Sequence, residues 1–288
     1  MMETLLDAGL APEEIERRFE AAAETLTTPC YGGDLVWRCW GEGPPLVLLH
    51  GGYGSWRHWI KSIPVLSKRW RLLVPDMPGL GDSANAPKPY DAYTIAQPLA
   101  DGLDSILPAP ARYDIAGFSF GGLIGGHLAE LQGDRVKRYV AVAPGGLGIA
   151  HTTERRPLAK MRHHMSPEEI EAAHRHNLSV IMFANPANID DLAVYLQTQS
   201  VRRGRTKSPP IAQTDTLARA LPKITAEIKA IYGTLDDATG TGLERRRALF
   251  KEIQPDMDFR VIEGAGHWVM YETPDAFNAM LIDMLTEN

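Results

Sequence analysis

Short, uninterrupted apolar runs recur along this chain, separated by helix-compatible stretches: Leu46-Val47-Leu48-Leu49, Leu72-Leu73-Val74, Tyr139 to Ala143, Ile228 to Tyr232 and Phe259 to Ile262. A strand that is apolar on both faces must be covered on both faces, and crossover helices between such strands provide the cover. The pattern predicts an α/β fold with a mostly parallel sheet and helices on each side. Such sheets bind ligands at the carboxyl ends of their strands, so reactive residues are expected in the loops just after the runs. Leu35 to Trp40 reads as a further strand. Residues 11–23 read as a helix: Pro12 suits its first position, Glu13 and Glu14 suit its positive end, and Arg17 and Arg18 follow four residues later.

The alternation stops between Gly145 and about Pro222. Ser166-Pro167-Glu168-Glu169 has the spacing of a capped helix start, and further helices are expected over 190–200 and 213–221. A helical insertion between two sheet strands would sit over the strand ends as a lid. The expected organisation is a core of 1–144 and 223–288, with 1–30 as a helical N-terminal extension and 145–222 as the lid.

Apolar residues make up 44% and charged residues 23% of the 288, ordinary globular usage that sets disorder aside. A net charge of −6 disfavours a nucleic-acid partner, because a phosphate backbone is held mainly by surplus Lys and Arg. No apolar run approaches the roughly 18 residues of a membrane span. The opening residues lack the basic start and apolar stretch of a secretory signal, so a reducing cytoplasm is the default. Cys30 and Cys39 sit outside any metal-ligand spacing and read as ordinary thiols. A monomer or homodimer acting on a small molecule, away from membranes, is expected.

Asp114-Ile115-Ala116-Gly117-Phe118-Ser119-Phe120-Gly121-Gly122 passes from a strand-like run into the helix-compatible 123–131. Gly117, Ser119 and Gly121 match Gly-x-Ser-x-Gly, where a serine sits on a strained strand-to-helix turn and flanking glycines let backbones pass closely. The following helix aims its N-terminal amides at the serine, where negative charge would develop. Leu49-His50-Gly51-Gly52-Tyr53-Gly54-Ser55 is a glycine-rich loop at a strand end, and with no Walker lysine and no complete Gly-x-Gly-x-x-Gly it does not read as a nucleotide site. Glu263-Gly264-Ala265-Gly266-His267-Trp268 puts a histidine after a glycine-rich turn, a poor core position and a good place for a general base. Ile231 to Asp237 supplies two acids at a strand end, Asp236 and Asp237. The chain order Ser, Asp, His is that of the hydrolase fold.

His50-Gly51-Gly52 after a strand, then Asp76-Met77-Pro78-Gly79-Leu80-Gly81-Asp82-Ser83, then the Ser119 turn, resemble the lidded α/β-hydrolase superfamily from about residue 34 onward. The resemblance implies Ser119 as nucleophile, His267 as base and Asp236 as the orienting acid, with Asp237 left to cap the next helix. It implies the amides of Gly52 and Phe120 as oxyanion donors, with Tyr53 as a substitute for Gly52. Tyr53, Phe118 and Trp268 are the expected substrate-facing positions. No cofactor and no metal are expected.

A serine at this turn disfavours the superfamily's dehalogenases and epoxide hydrolases, which use a carboxylate. Acyl transfer on a small carboxylic ester leads. Gly266-His267-Trp268 with Glu272 and Pro274 also resembles the carbon–carbon bond hydrolases of aromatic ring-fission products, although those usually carry asparagine where this chain has Phe118. A ligand-binding receptor on the same fold is a third reading. His163-His164 and His174-x-His176 read as solvated helix faces rather than metal ligands, and His50 and His58 as braces for the glycine loop. Arg202, Arg203, Arg205 and Lys207 read as surface, with a carboxylate-binding role as the alternative. Met161, Met165, Met182, Phe183, Trp56 and Trp59 could line a pocket or fill cores.

Overall fold

The strands are β1 (Glu24–Cys30), β2 (Gly33–Trp40), β3 (Pro45–Leu49), β4 (Arg71–Pro75), β5 (Tyr113–Phe118), β6 (Val136–Val142), β7 (Glu227–Gly233) and β8 (Phe259–Ile262). They form one sheet in the order β1-β2-β4-β3-β5-β6-β7-β8. The structure, a computed structural model, describes residues 3–7, 9–149, 156–238 and 242–286. β2 pairs antiparallel with β1 and β4, and all later pairings are parallel. Every residue of β5 is buried, as the continuous apolar run demands of a central strand with both faces covered.

The helices are α1 (Pro12–Ala22), α2 (Ile63–Leu66), α3 (Ala92–Ile106), α4 (Phe120–Gln132), α5 (Pro167–Ile181), α6 (Asp191–Arg202), α7 (Pro209–Ala212), α8 (Thr216–Ala220), α9 (Leu243–Ile253), α10 (Val269–Glu272) and α11 (Pro274–Thr286). One core joins the sheet to residues of α3, α4 and α9, including Leu99, Leu128 and Phe250. A second joins it to α1, α10 and α11 through Phe19, Met270 and Leu281. The two apolar faces of the strands thus each have a helical layer. Among the described residues no helix is long and apolar enough to cross a membrane.

The expected capped helix forms as α5. Ser166 Oγ accepts the Glu169 N–H at 3.2 Å, and the Glu169 carboxylate accepts the Ser166 N–H at 2.7 Å. Three local expectations need correction. The extension expected to be helical over 1–30 ends in a strand, β1, which pairs with the expected strand through a tight turn at Tyr31 and Gly32, both at positive φ. The helix expected over 213–221 shrinks to the five residues of α8, because Gln213 closes the preceding short helix α7 and Leu221 begins a 3-10 turn. Asp237 caps nothing: α9 begins after Gly242 with no side-chain cap.

Strand register aligns the carboxyl ends of the central strands. Leu49 pairs with Gly117, Gly117 with Ala141, and Val142 with Ile231. The loops after β3, β5 and β7 therefore open side by side.

Candidate active site

Ser119 occupies φ +53°, ψ −110°, a region costly for any residue with a side chain. Its backbone is held from both sides: its N–H donates to Val142 O at 2.8 Å, and its carbonyl accepts from Leu123 N and Gly145 N at 3.1 and 3.2 Å. The flanking glycines are required by contact. A Cβ on Gly117 would meet Gly121 O at 2.3 Å, and one on Gly121 would meet the carbonyls of Leu49 and His50 at 2.4 Å. The turn therefore presses β5, α4 and the end of β3 together and leaves the hydroxyl outward.

His267 reaches that hydroxyl. Its Nε2 lies 2.9 Å from Ser119 Oγ, and its Nδ1 lies 2.9 Å from Asp236 Oδ2. A carboxylate can only accept, so Nδ1 carries the proton and Nε2 is left to receive the serine proton. Asp236 is itself held by the Ala238 N–H at 2.8 Å on Oδ1. Both His267 and Asp236 are buried, which keeps the acid from exchanging its imidazole partner for water.

The glycine loop is braced by two histidines, as expected. His50 Nδ1 donates to Gly51 O at 2.8 Å while its Nε2 accepts the Met77 N–H at 3.0 Å. His58 Nδ1 accepts the Gly51 N–H at 3.0 Å. Burial drives the pKa of both rings down, that of His58 far down, so both are neutral. This fixes Gly51 through both its N–H and its carbonyl. The neighbouring Gly52 lines a cavity together with Ser119 and Phe120. The Phe120 amide is the first of α4, one of those a helix leaves without an internal acceptor.

The cavity measures about 790 Å³. Its floor is Gly52, Phe118, Ser119 and His267, and its roof comes from α5 and α6 through His174, Leu178, Ile181, Gln197 and Val201.

A family model described as "Alpha/beta hydrolase family" matches residues 46–280. The chain belongs to the alpha/beta hydrolase family. It is an α/β-hydrolase-fold enzyme. Among curated proteins it is similar to a soluble epoxide hydrolase of Corynebacterium sp. (strain C12), 27% identical over 81% of this chain and 87% of that one. It is also similar to a 2-hydroxymuconate semialdehyde hydrolase of Pseudomonas sp. (strain CF600), 28% identical over 86% of this chain and 88% of that one. Among solved structures, carboxylesterase CesB of Bacillus subtilis shares the fold with a TM-score of 0.75 at 18% identity, each chain covered to 99%.

Within this hydrolase fold the other expected site residues divide. Tyr53 and Phe118 line the cavity, and the Phe118 ring lies 4.9 Å from that of His267. Trp268 is not among the lining residues and must be reassigned. It is fully buried, donates its indole N–H to His58 O at 3.0 Å and packs on Tyr271 and Phe183. Its neighbour's orientation toward Ser119 turns Trp268 the other way, into the second core. Phe183, Trp56 and Trp59 are core residues too, whereas Met161 and Met182 line the cavity and Met165 does not.

His174 is not solvated as expected but buried against the cavity, while His176 meets the Pro157 carbonyl at 3.0 Å. Among the described residues no group of His, Cys, Asp and Glu could hold a metal ion. Arg203 pairs with Asp82 at 3.1 Å, and Arg205 donates to Asn85 Oδ1 at 2.6 Å and to the carbonyls of Gly81 and Ser83. These arginines fasten the segment after α6 to the loop after β4, away from the cavity.

One functional contact escapes sequence reasoning. The Glu272 carboxylate accepts the N–H groups of Gly266, Ala184 and Asn185 at 2.7, 3.1 and 2.9 Å, tying the turn before His267 to the end of α5. Only the tertiary fold brings these amides together.

Proposed function

We propose that this chain is a serine hydrolase of small-molecule carboxylic esters, with Ser119 as nucleophile, His267 as general base and Asp236 as its orienting acid. The observation that carries the reading is the unbroken contact Asp236 Oδ2, His267 Nδ1, His267 Nε2, Ser119 Oγ at 2.9 Å on each side, beside a cavity of ester-accommodating size. Ser119 Oγ attacks the ester carbonyl as His267 Nε2 takes its proton. The amides of Gly52 and Phe120 receive the oxyanion, and such a donor typically contributes about 100- to 1000-fold in rate. The imidazolium, stabilised by Asp236, returns the proton to the departing alcohol, and water then releases the acid by the same steps reversed. The helices α5 to α8 act as a lid over residues 1–144 and 223–288, excluding water from the acyl-enzyme.

The epoxide-hydrolase relative does not lend its reaction, because that chemistry uses a carboxylate where this chain has Ser119. Carbon–carbon hydrolysis is the second reading, favoured by the similarity to the semialdehyde hydrolase over 86% of this chain. Against it stands Phe118, an apolar ring on the cavity floor where such hydrolases usually carry asparagine. Turnover of p-nitrophenyl acetate and butyrate by wild type and Ser119→Ala, beside a vinylogous 1,5-diketone, separates the two readings.

A further inference from the structure

The cavity wall holds a cation that the acyl-transfer chemistry leaves idle. Arg246, on the first turn of α9, is only 5% exposed and lines the cavity alongside Ile149, Ala238 and His267. Its Nε and Nη1 are buried and, among the described residues, donate to nothing. Among the described residues no carboxylate comes within ion-pair distance of it. Gly242 leaves room for the guanidinium, since a Cβ there would lie 2.4 Å from Nη1. The groups that act on its charge are Tyr232, Asp236 and Arg245. The Tyr232 hydroxyl is itself buried without a partner, and Asp236 is committed to His267 and the Ala238 N–H.

A buried guanidinium with open donors is costly unless an anion meets it. Its planar fork matches a carboxylate in particular. We propose that Arg246 binds a carboxylate of the substrate, so that the preferred substrates are esters bearing a free carboxylate in addition to the ester group. This rests on the ester-hydrolase reading and names its substrate class. The role considered for Arg203 and Arg205 thereby passes to α9, since these two are occupied by Asp82, Asn85 and backbone carbonyls.

The test compares matched esters by pH-stat titration: monoethyl glutarate against ethyl butyrate for an acyl-side carboxylate, and acetoxyacetate against ethyl acetate for an alcohol-side one. Wild type is expected to prefer the charged member of at least one pair by about 10- to 100-fold in kcat/KM, carried by KM, the range of a charged hydrogen bond. The preference should vanish in Arg246→Gln and survive in part in Arg246→Lys. Arg246→Gln should melt no lower than wild type, since it removes a buried charge that no carboxylate meets, and this guards against misfolding as the cause. Equal or better turnover of the neutral esters, or a charged preference that persists in Arg246→Gln, overturns the assignment while leaving ester hydrolysis intact. Calorimetric titration of glutarate and acetoxyacetate into Ser119→Ala, with and without Arg246→Gln, reads the anion site independently of turnover. Binding lost with Arg246 supports it even if no ester is cleaved, and absence of binding by both probes contradicts it.

Discussion

The Gly266 N–H donates to Glu272 Oε2 at 2.7 Å, and the same carboxylate receives the Ala184 and Asn185 amides from the segment that follows α5. The turn that presents His267 and the helix that roofs the cavity are thus anchored on one side chain.

Replacing Glu272 by alanine leaves these donors without their acceptor and frees the turn before His267. A displacement of about 1 Å at a reacting group costs roughly 100-fold, so Glu272→Ala should lower kcat by about 10- to 100-fold with a smaller change in KM. Stability should fall by about 2 kcal/mol for the unsatisfied amides. Steady-state kinetics and urea unfolding on the same preparation check both numbers. A stability loss with unchanged kcat would show that Glu272 only holds the chain together.

Glu16 on α1 receives Nε of the fully buried Arg57 at 2.6 Å, a second bond from its Nη2, and the hydroxyl of Tyr195 on α6. The helix before the sheet is therefore joined both to the glycine-loop region and to the roof. Glu16→Ala leaves the buried guanidinium only the distant Glu20 carboxylate at 3.4 Å and the Ser55 hydroxyl at 3.2 Å, and should cost about 3 kcal/mol. Glu16→Gln keeps an acceptor for Arg57 without the charge, at the loss of the oxygen that accepts from Tyr195, and should cost less. Unfolding midpoints in urea distinguish them, and equal, negligible losses would contradict the coupling.

Mild acid should weaken the fold through a buried histidine. Burial depresses the pKa of His58 well below the ordinary histidine value near 6.5, so the folded ring stays neutral while the unfolded one takes up a proton. Stability from this group is complete above the unfolded pKa and is lost as pH falls from there toward the folded pKa. Between pH 7.5 and 5.5 the loss is about 1 kcal/mol for one such histidine. His58→Asn retains an acceptor for the Gly51 N–H and does not titrate, so its stability should fall less over that interval. An identical slope in both proteins would contradict the prediction.

The parts of this molecule legible in the sequence are those where local pattern and tertiary role coincide. β3, β5 and β7 are buried on both faces, so their apolar runs stand out, and Gly52, Ser119 and Asp236 follow their ends. β1 is hidden in the sequence because it is an edge strand of threonines with several exposed positions and a proline, which an edge tolerates. Trp268 is misleading because adjacency to His267 in sequence says nothing of direction: His267 meets Ser119 while Trp268 packs on Tyr271. Arg246 carries no local signal, and Glu272 enters the sequence reading only through a resemblance that says nothing of its partners. They are singled out by the absence of partners for the first and the convergence of amides 6 and 88 residues away for the second.

Ser119, poised by His267 and Asp236, is proposed to perform nucleophilic acyl transfer, and every other assignment at the site depends on that step. Multiple-turnover hydrolysis of p-nitrophenyl butyrate by wild type and Ser119→Ala tests it most directly. Sustained release in the wild type and a loss of at least about 1000-fold in kcat in the variant, with an unchanged melting temperature, is the predicted result. Equal release from the two proteins would contradict it.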